Sequence, residues 1–319
     1  MALLEQSAHS LPEPAPLEFG NVPARRKTEA DTKLVIASYN IRYAVGRYLI
    51  STGLLRKAGL FKSRNRSGQV AANIRAAART FLEATKLPPV DILALQEADK
   101  GTARAGGHHV AQALAEELNM SWVHAAAGIP RGIKPQPRQW WLDFEEQIGL
   151  YDQGDTGVAL LSHLPLEDVR RIDLPWKDCP WRPRLSISAT VRAGERALQI
   201  FNAHIDPHSS ANGQIEQLQV MLDEAENSSL PAVMLGDFNT LSGRKCVETR
   251  GLLESRGYTT PFSTGTSTWR GAGLRLHADW VFVRGLTVTR WGVVRPLNVS
   301  DHWPIWVEID FSRKEVSDT

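Results

Sequence analysis

In residues 233–240, VMLGDFNT, an apolar run stops on a carboxylate, an aromatic ring and a carboxamide. Gly, Asp and Asn are turn residues, so a plain turn is one reading. The other is a strand that delivers Asp237 and Asn239 to a rim. Their i, i+2 spacing puts both on one side of an extended chain while Phe238 points back into the core. Similar ends recur along the chain. Asn40 follows LVIASY (34–39), Glu97 follows DILALQ (91–96), and His204 follows LQIFNA (198–203). Asp279 precedes WVFV (280–283), and Asp301 with His302 precedes PIWVEI (304–309). Taken singly, Asn40 reads as a turn residue, Glu97 as a solvated cap and His204 as a hydrogen-bonded core histidine.

Taken together the set is chemically coherent. Glu, Asp and Asn oxygens are hard ligands suited to Mg²⁺ or Mn²⁺, and Mg²⁺ usually takes one or two carboxylates and keeps several waters. Such an ion polarises a phosphoryl oxygen and stabilises a departing alkoxide. His302, with Asp279 available to orient it, matches the His–carboxylate pairing that fixes one tautomer and raises the imidazole pKa. Asp301 and His302 are neighbours and point apart in an extended chain. Both line one pocket only if the chain turns near Ser300, ahead of the strand that begins at Pro304.

These side chains need elements to carry them. GVALLS (157–162), LSISATV (185–191) and AVMLG (232–236) complete a set of eight short apolar runs that read as strands. Residues 69–86 have helical spacing, with Val70, Ile74, Ala77 or Ala78 and Phe81 on one stripe. Residues 212–226 repeat the pattern through Ile215, Leu218, Leu222 and Ala225, and 108–118 is a third helix. Strands mixed with helices imply an α/β protein with buried sheets. Four strands carry their polar groups at C-terminal ends and two at N-terminal ends. If the last two run opposite to the others, every group lies on a single rim.

The ordered segments SYNIR, LALQEAD, GVALLSHLPL, FNAHID, LGDFNT, HADWVFV and SDHWPI resemble the endonuclease/exonuclease/phosphatase superfamily over roughly 34–310. The resemblance implies the DNase I-like fold, a four-layer α/β sandwich of two packed β-sheets flanked by helices. It implies Glu97 as principal metal ligand with Asn40 and Asp301 close to the ion, Mg²⁺ or else Mn²⁺. It implies that Asp237 orients or deprotonates the attacking water and that Asn239 binds the phosphate or the metal. His302, oriented by Asp279, contacts the phosphate or moves a proton, and His204 is a general-acid candidate. Arg184, in WRPRLSISATV, matches an arginine that reaches phosphate.

Composition is ordinary for a globular chain of 319 residues, with 42% hydrophobic and 23% charged residues and a net charge of +2. No apolar run approaches the roughly 18 residues of a membrane span, and the start lacks a signal-peptide pattern. Cys179 and Cys246 supply neither a disulfide framework nor a thiolate metal cluster. A cytoplasmic monomer is expected, with a flexible leader at 1–32, one catalytic domain at 33–312 and a tail at 313–319.

Two segments depart from the family pattern. The stretch 42–66 opens a run from Arg42 through Leu82 without Asp or Glu, in which Lys57, Lys62, Arg64 and Arg66 are among the cations. It suits a polyanion, or is a solvated insertion. The stretch 128–153 sets Trp140 and Trp141 among Arg131, Lys134 and Arg138, for base stacking, a membrane interface or plain packing. Nucleic acid is therefore the expected substrate, and a phospholipid or small phosphoester, as in a sphingomyelinase-like or phosphatase-like enzyme, is the alternative. A non-catalytic nucleic-acid-binding module is disfavoured, because every expected catalytic residue type is present. Asp155 stands just before a strand as a possible pocket residue. Asp206 with His208 reads as a loop, and His108 with His109 as the opening of a helix.

Overall fold

The computed structural model describes residues 16–22, 33–46, 65–83, 85–131, 147–176, 181–271, 273–295 and 297–310. The run LVIASY is apolar without alternation because its strand, β2 (Lys33–Asn40), is buried on both faces. Leu34 and Ile36 enter the core between two sheets. Val35, Ala37 and Tyr39 face a second core under two helices.

The first sheet has seven strands: β1 (Glu18–Gly20), β2, β3 (Ile92–Gln96), β4 (Ser121–Ala126), β5 (Gly157–Ser162), β13 (Thr287–Val293) and β14 (Ile305–Asp310). Their order is β1-β4-β5-β3-β2-β14-β13. The second has five: β6 (Leu166–Leu174), β7 (Arg184–Ala193), β8 (Arg196–His204), β9 (Ala232–Asp237) and β12 (Asp279–Arg284), in the order β12-β9-β8-β7-β6. Helices α1 (Arg66–Leu82) and α2 (Val110–Leu118) cover the first sheet, and α3 (Ala211–Glu226) and α4 (Gly243–Ser255) complete the fourth layer. A small hairpin, β10 (Trp269–Gly271) with β11 (Leu274–Leu276), stands apart from both sheets. This is the DNase I-like α/β sandwich.

Strand direction decides the rim. β2 is parallel to β3 and β8 is parallel to β9, whereas β14 runs antiparallel to β2 and β12 antiparallel to β9. The last two strands thus run opposite, and Asp279 sits directly across from Asp237. Below the rim the two sheets are joined by polar side chains inside the core. Asn202 donates to the Leu95 and Ala159 carbonyls at 2.9 and 2.8 Å, and accepts from Gln96 at 2.7 Å.

The expected helix at 69–86 begins at Arg66 and ends at Leu82. Asn65 caps it by accepting from the Gly68 N–H at 2.9 Å, a signal that the apolar stripe does not carry. Helix α4 was not among the expected elements, since only Cys246, Thr249 and Leu253 are buried on it. β4, β6 and β13 were also not expected, and neither was β1, which lies inside the segment read as a leader. β1 pairs antiparallel with β4, and Glu18 makes an ion pair with Lys100. Residues 47–64 and 132–146 lie outside the described residues, and with them Lys57, Lys62, Arg64, Lys134, Arg138, Trp140 and Trp141. Among the described residues no helix is long and apolar enough to cross a membrane.

Candidate active site

The opening stretch turns out to be both a strand and a turn. β9 stays extended to Asp237, and Phe238 is buried and stacks on Phe282. The chain then turns at Asn239, whose φ is 50°. Gly236 sits so close to β8 that a Cβ there would stand 2.0 Å from the Ala203 carbonyl oxygen, so only glycine allows this approach. Glu97 also has a positive φ, 51°, as do Arg42, Tyr43 and Ala44. Left-handed backbone costs a non-glycine residue on the order of 1 kcal/mol or more and collects where surrounding structure holds side chains in fixed places.

Asp237, Asp279 and His302 form one buried line. His302 Nδ1 meets both Asp279 oxygens at 2.9 and 3.1 Å, and its Nε2 lies 3.7 Å from Asp237 Oδ2. Burial alone would lower the imidazole pKa, but Asp279 and Asp237 outweigh it and push His302 up to about 10. Burial pushes the Asp237 carboxyl up to about 7, with neighbouring Asp279 adding to the rise against the pull of His302. The chain does bend before β14: Ser300 Oγ accepts from the His302 N–H at 3.1 Å and donates to Asp301 Oδ1 at 3.2 Å.

Asn40 ties this line to the first sheet. Its amide donates to Asp237 Oδ2 at 2.9 Å and to Glu97 Oε1 at 3.2 Å. His204 Nε2 faces the same two carboxylates, at 3.4 Å from Asp237 and 3.9 Å from Glu97. Its Nδ1 contacts Arg184 Nη1 at 2.8 Å. A guanidinium can only donate, so Nδ1 accepts and the proton resides on Nε2. Burial, then Arg184 and Arg182, holds the His204 pKa well below the usual histidine value, which keeps the ring neutral. Arg184 is itself buried, and its Nε and Nη2 atoms have no hydrogen-bond partner among the described residues. Asn239 anchors its amide nitrogen on the Ile205 carbonyl at 2.8 Å.

Asp301 is held by two donors from the chain. Arg42 Nη1 and Trp269 Nε1 both reach its Oδ2, each at 3.0 Å. Burial would raise the Asp301 pKa, but Arg42 and His302 hold it below the usual value. Arg42 and Trp269 were missed in the sequence. Arg42 had a signal, its position two residues after Asn40, whereas Trp269 lies 32 positions from Asp301 and had none. Asp155 accepts from the Gly128 and Thr156 N–H groups, each at 2.8 Å, and serves its own loop. Asp206 accepts from His208 N and Ser209 Oγ, and His109 caps α2, matching the loop and helix-opening readings.

The donor set suits a hard divalent ion. Glu97 accepts from Asn40 through Oε1, while no partner contacts its Oε2 among the described residues, and Asn40 and Asp237 stand beside it. The buried group Asp237, Asp279 and His302 also has ligand atoms within 4.8 Å of one another. There the His302 ring is tied to Asp279 and held protonated, so it offers no lone pair, and the Glu97 side suits a cation better.

A two-sheet sandwich with carboxylates, histidines and a buried arginine on one rim defines the class of phosphoesterases with the DNase I-like fold. The model of the Endonuclease/Exonuclease/phosphatase family matches residues 37–302, and the chain belongs to that family. Among solved structures it is similar to an endonuclease/exonuclease/phosphatase from Beutenbergia cavernae, at 16% identity and a TM-score of 0.59, covering 88% of this chain and 72% of that one. It is similar to D. rerio TDP2 complexed with a single-strand DNA product, at 17% identity and a TM-score of 0.55, covering 88% and 99%. It is also similar to ANGEL2, a 2',3'-cyclic phosphatase, at 15% identity and a TM-score of 0.56, covering 91% and 99%. No curated protein sequence matches the chain.

Proposed function

We propose that the protein is a metal-dependent phosphodiesterase that hydrolyses nucleic-acid phosphodiester bonds by in-line attack of water. The observation that carries this reading is the pairing, across one rim, of His302 between two carboxylates with His204 braced by Arg184. Glu97 and Asn40 would hold Mg²⁺ or Mn²⁺, which when bound supplies positive charge to the phosphoryl oxygen and the leaving alkoxide. Asp237, raised toward neutrality, takes the proton of the attacking water. His302, oriented by Asp279, offers a positive N–H to the phosphoryl group. His204 donates a hydrogen bond from Nε2 to a phosphate oxygen, and this neutral ring serves better as a donor than as a general acid. Arg184 gives its unpartnered N–H groups to the same phosphate, and Asn239 presents its amide oxygen. Asp301, held by Arg42 and Trp269 through Oδ2, stands at the same rim as a further candidate ligand.

The fold neighbour with a DNA product supports a nucleic-acid substrate. The neighbour that is a cyclic phosphatase supports the second reading, a small phosphoester at the same rim. A panel of plasmid, single-stranded DNA, RNA and bis-p-nitrophenyl phosphate, each with Mg²⁺, Mn²⁺ or EDTA, tests both. Metal-dependent polymer cleavage is expected. Turnover of small esters alone favours the second reading, and turnover unaffected by EDTA overturns the metal dependence.

A further inference from the structure

Between residues 255 and 300 the chain holds six arginines, no lysine and a single acid, the buried Asp279. Three of the arginines are committed within the fold. Arg256 pairs with Glu226, Arg290 with Glu308, and Arg284 donates to the Ala225 carbonyl. The other three, Arg270, Arg275 and Arg295, gather at the β10–β11 hairpin and the loop facing it.

That hairpin is built into the catalytic rim. Trp269 bonds Asp301 through its side chain and bridges to His302 through its backbone. The Arg270 N–H bonds the Asp301 carbonyl at 2.9 Å, and Thr268 Oγ1 accepts from the Asp279 N–H at 2.9 Å. Trp303, the residue after His302, has the Arg270 guanidinium 4.9 Å and the Arg295 guanidinium 4.6 Å from its ring centre. Arg270 is held by the Leu297 carbonyl and Asn298, and Arg295 by the Ser267 carbonyl. Arg275 and Arg295 are exposed, and among the described residues neither has a carboxylate partner. Elsewhere on the surface Arg170, Arg192, Arg244, Arg250 and Arg256 each pair with a glutamate. Partial burial lowers the Arg295 pKa, and the nearby Arg275 lowers it further. The like charges of Arg275 and Arg295 are thus crowded on one side of the phosphate site with no carboxylate paired to either among the described residues.

We propose that Arg275 and Arg295, with Arg270 behind them, form a phosphate-binding ledge for a nucleic-acid strand that runs from the scissile phosphate past Asp301 and His302 over the hairpin. The ledge rests on the nuclease reading and extends it: the substrate is a strand of several nucleotides, recognised by its backbone. Guanidinium groups fit phosphate oxygens as a planar fork. A membrane surface fits less well, since Trp269 and Trp303 are buried at 7% and 5% exposure and Leu274 is the one large exposed apolar side chain described on the hairpin.

The test compares wild type with Arg275→Ala/Arg295→Ala and with the charge-reversed Arg275→Glu/Arg295→Glu. Both sites are exposed, so circular dichroism should match wild type. Binding of a labelled single-stranded oligonucleotide is read by anisotropy in EDTA, and turnover of bis-p-nitrophenyl phosphate is read with metal. The alanine pair should bind the strand about tenfold more weakly, with a salt slope shallower by about 1.4, two phosphates at about 0.7 each. Small-ester turnover should be unchanged and the glutamate pair should bind worse still. If wild type and variants bind the strand with equal affinity and slope, the ledge is overturned while the nuclease reading stands. If wild type neither binds nor cleaves any strand yet hydrolyses the small ester, both fall. If the variants instead lose binding to phosphatidylserine vesicles and keep the strand, the patch is a membrane contact and the ledge is wrong.

Discussion

Two histidines a few ångströms from the same carboxylate are driven to opposite protonation states. Both are buried, which by itself favours the neutral ring. His302 gains two carboxylate neighbours and is held charged, whereas His204 gains two arginines and is held neutral. The assignment predicts the pH behaviour of a variant. Asp279→Asn removes the largest influence that raises His302 against its burial, so the imidazolium is lost at lower pH. If the charged ring is required, the alkaline limb of the kcat profile should move to lower pH; an unmoved limb would remove His302 from the chemistry. Asp237→Asn should lower kcat at least about a hundredfold with the fold intact, the lower range for a positioned acid–base group. Steady-state kinetics with circular dichroism on the same sample checks it.

Strand direction brings these residues to one rim, and the polar bridge beneath the rim keeps the two sheets in register with each other. Asn202 on β8 bonds carbonyls of β3 and β5, and Gln96, the last residue of β3, immediately precedes Glu97. Asn202→Leu should therefore cost about 1–3 kcal/mol for each buried group left unpaired, seen as a lower urea midpoint. Because the Glu97 and His204 ends would shift relative to each other, activity should fall further than stability alone accounts for. Activity that survives intact in the folded variant would show that the bridge serves packing only.

Across the whole molecule, acid sensitivity should arise from two buried histidines outside the catalytic set. His124 and His277 are buried, and burial pushes each down to about 4 from an ordinary 6.5. The unfolded chain binds these protons first as pH falls, so the stability tied to each neutral ring is present above about pH 6.5 and is lost toward pH 4. The loss is up to roughly 3 kcal/mol per histidine, at about 1.4 kcal/mol per pH unit. Urea midpoints measured between pH 7 and pH 4.5 should fall, and His124→Gln should flatten the fall by about half; a flat wild-type profile would contradict it.

The eight apolar runs, the order of the polar residues at their ends and the type of chemistry were legible in the sequence, because a strand buried on both faces writes itself as an unbroken apolar run. Two of the elements that were not legible have little to bury: α4 buries three side chains, and β13 is an exposed edge. Asn40, Glu97 and Asp237 could be named as candidates from their place at strand ends, and their roles from the family resemblance. That Asp301 is held by Arg42 and Trp269, that burial and two arginines favour a neutral His204, and that Arg275 and Arg295 stand close together without a carboxylate partner among the described residues depended on tertiary structure. Each follows from which charges lie within a few ångströms of one another, and segments far apart in the chain fix those distances only once they are packed.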